Sequence, residues 1–153
     1  MKFTLAAAST FFTAALAATL PKSFTLVADG GNTVLTDNTH AIVDFKQANS
    51  LEILRLQSAD GATITFTQQG LPPTAWQNLF AIEGKSEPLG LTIPHSGATP
   101  TGAVLNAWGI TEDGYLTFQG QNSFGLSADK KQVYFLGNDS SIPKVSLWVK
   151  DLN

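Results

Sequence analysis

The strongest constraint on this chain is a repeated corner, a short acidic turn ending in glycine between two runs of alternating apolar residues. In "WGITEDGYLTFQG", residues 108–120, the arms must fold back with their apolar residues opposite one another if one face is to be buried. A three-residue loop, Glu112 to Gly114, pairs Ile110 with Leu116 and Trp108 with Phe118. A two-residue loop of Asp113 and Gly114 would set Ile110 against Thr117 and Trp108 against Gln119, mixing the faces. The longer loop is therefore expected, with Gly114 taking the positive φ that a type I turn plus bulge demands. Asp113 is then a turn residue that bonds nearby backbone N–H groups, with no chemistry assigned to it. In "ILRLQSADGATITF" the same device, a loop of Ala59, Asp60 and Gly61, pairs Leu56 with Ile64 and Leu54 with Phe66. Asp29-Gly30 and the stretch around Asp129, where Lys130 stands in place of glycine, mark further corners.

No stretch after the N-terminal region sustains a helical period, whereas short alternating runs recur from Phe24–Val27 to Val145–Val149, about a dozen in all. The fold class expected is all-β, in a single domain over 18–153. Residues 1–17 read as a secretory signal peptide: Lys2, an apolar run from Phe3 to Ala17, and small residues at Ala15 and Ala17 for cleavage. That run is short of the roughly 20 apolar residues of a spanning helix, so the mature chain is expected outside the cell and free of the membrane. It has no cysteine, which argues against a small disulfide-stapled scaffold. Charged residues make up 14% of the chain, against about 25% in ordinary domains. With net charge -3 and no basic cluster, the footprint of a nucleic-acid or anionic-membrane binder is missing.

So many short strands must close into a barrel or stack as two sheets to hide their edges. A weak internal repeat favours closure. "FTLVADGGNTVL" superposes on "WGITEDGYLTFQ" with Phe24 on Trp108, Leu26 on Ile110, Asp29 on Asp113 and Gly30 on Gly114. Their separation is twice a period of about 42 residues, and Phe66 falls on the middle copy. A β-trefoil-like closed barrel is the preferred architecture, with a β-sandwich as the alternative.

The two histidines, His40 and His95, have no metal-ligand spacing, and no cofactor is expected. No Gly-x-Ser-x-Gly elbow marks a nucleophile. The candidate carboxyls outside obvious turns are Asp44, Glu52, Glu83 and Glu87, and the last two flank "GKS" closely enough to be weighed as a glycosidase pair. Sugar binding has another requirement, a flat aromatic face beside groups that bond hydroxyls. Trp76 meets it best, since it follows the stiff Pro72-Pro73 pair and precedes Gln77 and Asn78. Trp108 and Trp148 fall on regular strands, where core packing is the expected role. One sequon, Asn138-Asp139-Ser140, lies in the turn-like "GNDSSIP", making Asn138 the candidate glycosylation site.

Phe24 to Ala28, Trp108, Gly114, Leu116, Phe118, Gly120, Phe124 and the closing Trp148-Val149 together resemble the PhiA-like cell wall proteins of filamentous fungi. That resemblance implies a small secreted chain with a signal peptide, located in or on the wall. The family commonly carries a cysteine just after the position of Phe124, where this chain has Gly125. No binding or catalytic residue carries over. The leading expectation is a secreted, non-catalytic wall or extracellular protein contacting wall polysaccharide through Trp76, Gln77 and Asn78. A small secreted hydrolase acting on polysaccharide is the alternative, and a β-trefoil lectin or inhibitor the third.

Overall fold

A computed structural model describes residues 18–153; the signal peptide expected over residues 1–17 lies outside the described residues. Alternating runs become strands wherever one set of side chains can be buried. The first eight are β1 (Ser23–Ala28), β2 (Asn32–Thr33), β3 (Leu35–Thr36), β4 (Ala41–Ile42), β5 (Glu52–Ile53), β6 (Leu56–Ala59), β7 (Thr63–Phe66) and β8 (Gln77–Ile82). They are followed by β9 (Glu87–Pro88), β10 (Gly90–Leu91), β11 (Ala103–Val104), β12 (Trp108–Ile110) and β13 (Leu116–Phe118). The last four are β14 (Phe124–Leu126), β15 (Val133–Phe135), β16 (Lys144–Val145) and β17 (Leu147–Asp151). Two 3-10 turns, Phe45–Gln47 and Pro73–Ala75, interrupt the series. No helix among the described residues is long and apolar enough to cross a membrane.

The longest sheet runs β10-β8-β7-β6-β1-β17, in which β1 and β17 pair antiparallel from Phe24 opposite Asp151 to Ala28 opposite Leu147. Inward residues of this sheet, including Phe24, Leu26, Ile64, Phe66, Leu79 and Leu147, are wholly buried. An aromatic cluster adjoins them: Phe118 lies 4.9 Å from Trp108 and 4.7 Å from Phe135, measured between ring centroids. Such tilted and edge-on contacts suit the ring quadrupoles.

The 108–118 hairpin has the register that alternation demands, with Trp108 opposite Phe118 and Ile110 opposite Leu116. Gly114 N–H donates to Thr111 O at 3.0 Å and its φ is 94°. The 56–66 hairpin differs from expectation by two residues: Leu56 faces Phe66 and Ala59 faces Thr63. Its loop is therefore Asp60 to Ala62, with positive φ at both Gly61 (72°) and Ala62 (59°), closed by the Thr63 hydroxyl donating to Asp60 O. A slip of two leaves every side chain on its own face, so the apolar pattern tolerates both registers. Leu54 is free to pair elsewhere, and its N–H donates to Val34 O. At Asp29-Gly30 the corner forms between Ala28 and Asn32, and the Asp29 carboxylate also accepts a bond from Ser146 N–H at 2.8 Å. Near Asp129 the positive φ falls on Lys131, in the place glycine usually fills.

These corners differ in what a methyl group would meet. A Cβ at Gly61 would find open space, whereas one at Gly114 would sit 3.1 Å from Trp148 Nε1. Gly61→Ala should therefore cost only the left-handed strain, about 1 kcal/mol, while Gly114→Ala should cost more because the indole must also move. Equal midpoints for the two variants in urea unfolding would contradict this ordering.

Four sheets account for the ladders, and none of them is closed into a barrel; a sandwich-like arrangement fits them. The all-β class holds, but the closed barrel is not formed by these ladders. Hydrogen bonds also run between sheets: Trp108 N–H donates to Ala62 O at 3.1 Å, and Val149 N–H to Gly114 O at 2.8 Å. Trp108 is buried, as expected. Trp148 is not: it is 44% exposed, because β17 turns Leu147 and Val149 inward and the residue between them outward.

Candidate functional site

Pro72 sits at φ -64°, ψ 154° and Pro73 opens the 3-10 turn, a position where a missing N–H costs nothing. Ala75 N–H closes that turn on Pro72 O at 2.9 Å, and Trp76 then leaves it in extended conformation (φ -71°, ψ 149°) to enter β8. The turn thus presents the indole at the sheet margin. Trp76 is 50% exposed.

Strand alternation decides what accompanies it. Gln77 points the other way: it is buried, and its Nε2 donates to Asn38 O (2.9 Å) and Thr92 O (2.8 Å). Both donors of that amide are committed to holding two neighbouring segments, so Gln77 is withdrawn from the binding set. Asn78 returns to the face of Trp76. Its backbone is fixed on both sides by Thr92, with N–H to Thr92 Oγ1 at 2.8 Å and Thr92 N–H to Asn78 O at 2.9 Å.

Trp76 and Asn78 form the common wall of two clefts. One, of about 480 Å³, extends over the outer face of β6 and β7, past Thr65, Thr63 and Gln57. The other, of about 330 Å³, extends under the 92–99 segment, past Thr92, Ile93 and Thr99. The register explains the first: Thr65 lies opposite both Asn78 and Gln57, so a row of hydroxyl and amide side chains crosses three strands. No Asp, Glu, Lys or Arg lines either cleft. Sequence reading missed these threonines, although "TITFT" with Ile64 and Phe66 inward carries the signal.

The carboxyls weighed as catalysts are scattered. Asp44 caps the first 3-10 turn, accepting from Gln47 Nε2 and from Lys46 N–H, bonds that in that order hold its carboxyl below the usual carboxylate range. Glu52 accepts from Gln69 N–H at 2.6 Å. Glu83 accepts from Gln119 Nε2 at 3.1 Å, while Glu87 lies on β9 opposite Phe135 and lines a third cavity of about 620 Å³. Glu83 does not line that cavity, so the two glutamates do not share a cleft. Asp129 and Asp139 are also held low, chiefly by hydrogen bonds from the Lys130 backbone and from Ser141 respectively. A general acid needs the opposite shift. His40 lies 3.7 Å from Asp37, and His95 stands in the 93–99 loop with φ 59°. Among the described residues no three or more His, Asp and Glu side chains gather as a metal site would require.

Asn138 is exposed on the turn where Asp139 N–H donates to Leu136 O, and the Asp139 carboxylate is occupied by Ser141 N–H at 2.8 Å. The acceptor amide is open to solvent. Protein secreted from a eukaryotic host is expected to lose mass on treatment with an N-glycosidase, and an unchanged intact mass would show the sequon to be unused.

Comparison with known proteins finds no matching family model, no matching curated protein and no matching solved structure. What the fold and the site define together is an all-β protein with an aromatic ridge between two clefts that lack Asp, Glu, Lys and Arg, the second of them lined also by His95.

Proposed function

We propose that this chain is a secreted, non-catalytic protein of the cell wall or extracellular space of a filamentous fungus, and that it contacts wall glycan through Trp76 and Asn78. The observation that carries this reading is the half-exposed Trp76 indole, held by a proline-stiffened turn between two clefts lined with hydroxyl and amide groups. An aromatic face takes the apolar side of a pyranose, and pre-ordered neighbours reduce the entropy lost on binding. The wall location rests on the PhiA-like resemblance, and the non-catalytic assignment on the dispersal of the carboxyls. Retention of the purified protein on isolated wall polysaccharide, with Trp76→Ala as the control, tests it.

The architecture we propose is the β-trefoil. Six strands, β1, β6, β7, β12, β13 and β17, carry the links a closed ring requires. Ladders join β17-β1-β6-β7 and β12-β13. The Trp108-to-Ala62 bond then connects β12 to the start of β7, and the Val149-to-Gly114 bond with the Tyr115–Trp148 bridge connects β13 to β17. Among the pairs outside that circuit are β3-β4, β8-β10 and β14-β15, one in each third of the chain. A six-stranded ring with three such hairpins is the trefoil plan, and in it the Trp76 ridge belongs to the second hairpin.

A further inference from the structure

The two clefts beside Trp76 do not end there. The second shares Thr92, Ile93 and Thr99 with the 620 Å³ cavity, which continues over Leu91 and Phe80 to Thr39 and His40. Three depressions therefore follow one another with common walls: Trp76 and Asn78 between the first and second, and Ile93, Thr92 and Thr99 between the second and third. Ile93 is 66% exposed and, like Trp76, stands as an apolar ridge between polar-walled hollows. Hydroxyls are spaced along the whole path, at Thr63, Thr65, Thr92, Thr99 and Thr39.

We infer that this path is a track for an uncharged polysaccharide chain of several sugar units. The inference rests on the glycan reading of Trp76 and specifies the ligand. A monosaccharide would fill one hollow and leave the others wet, whereas a chain crossing the ridges desolvates successive apolar faces, so affinity accumulates along its length. Charge selects the class. The first two hollows contain no Asp, Glu, Lys or Arg side chain, with His95 in the second as their one titratable group, and the third is lined by charges of both signs, Lys85 and Glu87, together with His40. A polyuronate or a polyamine would find no Lys, Arg, Asp or Glu partner in the first two and one residue of each sign in the third. A neutral glucan or an N-acetylated chain loses no ionic hydration on entering.

Calorimetric titration of the mature protein with neutral β-glucan oligosaccharides, from disaccharide to hexasaccharide, tests the track, with N-acetylated chito-oligosaccharides, polygalacturonate and chitosan as companion probes at low and high salt. Affinity for an uncharged series is expected to rise with length and to be insensitive to salt. Ile93→Asp, at an exposed site, should weaken the hexasaccharide by roughly tenfold and leave the disaccharide unchanged. Length-independent affinity, or tighter salt-sensitive binding of polygalacturonate or chitosan that still needs Trp76, would overturn the track and leave the glycan reading standing. Absence of binding to every probe, or binding indifferent to Trp76→Ala, would remove the reading itself.

Discussion

Trp108→Ala is expected to be the most damaging single substitution in this fold. The side chain is buried, its Nε1 donates to Leu79 O at 3.0 Å, and its ring lies against Phe118. Truncating a buried tryptophan costs about 3–5 kcal/mol, and leaving the Leu79 carbonyl without its donor adds a further penalty of about 1–3 kcal/mol. Set against a total stability of about 5–15 kcal/mol for an ordinary domain, the variant should be largely unfolded near its growth temperature. Trp108→Phe keeps a ring and gives up the donor, so it should fall between the two. Urea midpoints for the three proteins measure the effect, and a loss near zero for the alanine variant would mean that the indole is not a core element.

Trp76→Ala should do the reverse. An indole half in solvent contributes little to folding, so the cost should stay near the scale of a surface substitution, about 0.5 kcal/mol. Retention on wall polysaccharide, by contrast, should be lost altogether. The pair of measurements separates the two roles that an aromatic residue can have. A severely destabilised variant would make Trp76 a packing residue, and a stable variant with full retention would move any glycan contact to another face.

How much of this was legible beforehand depends on where alternation is unambiguous. At 108–118 every inward residue is large and apolar and every outward neighbour is smaller or polar, and the register follows. At 56–66 it does not, because a shift of two preserves the faces and the choice rests on a turn that places Ala62 at positive φ. In "WQNLFAI" both sets are apolar from Leu79 onward, so nothing in the string shows that Gln77 shares the inward set with Leu79 and Ala81. "LWV" has the same defect, and the largest of its three residues is the one that faces out. Sequence adjacency made Trp76, Gln77 and Asn78 look like one cluster; on a strand, neighbours in sequence face opposite sides of the sheet. The threonines that join Trp76 and Asn78 come from β7 and from the 92–99 segment, at a distance along the chain that no local pattern bridges.

The pairing of β1 with β17 bears on the order in which the molecule can be made. Asp29 and Ser146, bonded across this seam, are 117 positions apart, and the same final strand also supplies the partner for Gly114. Loop closure over such a span must be completed before its contacts are rewarded. Early strands can form local hairpins on a ribosome, but β1 lacks its longest ladder until residues 147–151 have been synthesised. A nascent chain of this design is therefore committed to its native state only after β17 is available to pair with β1.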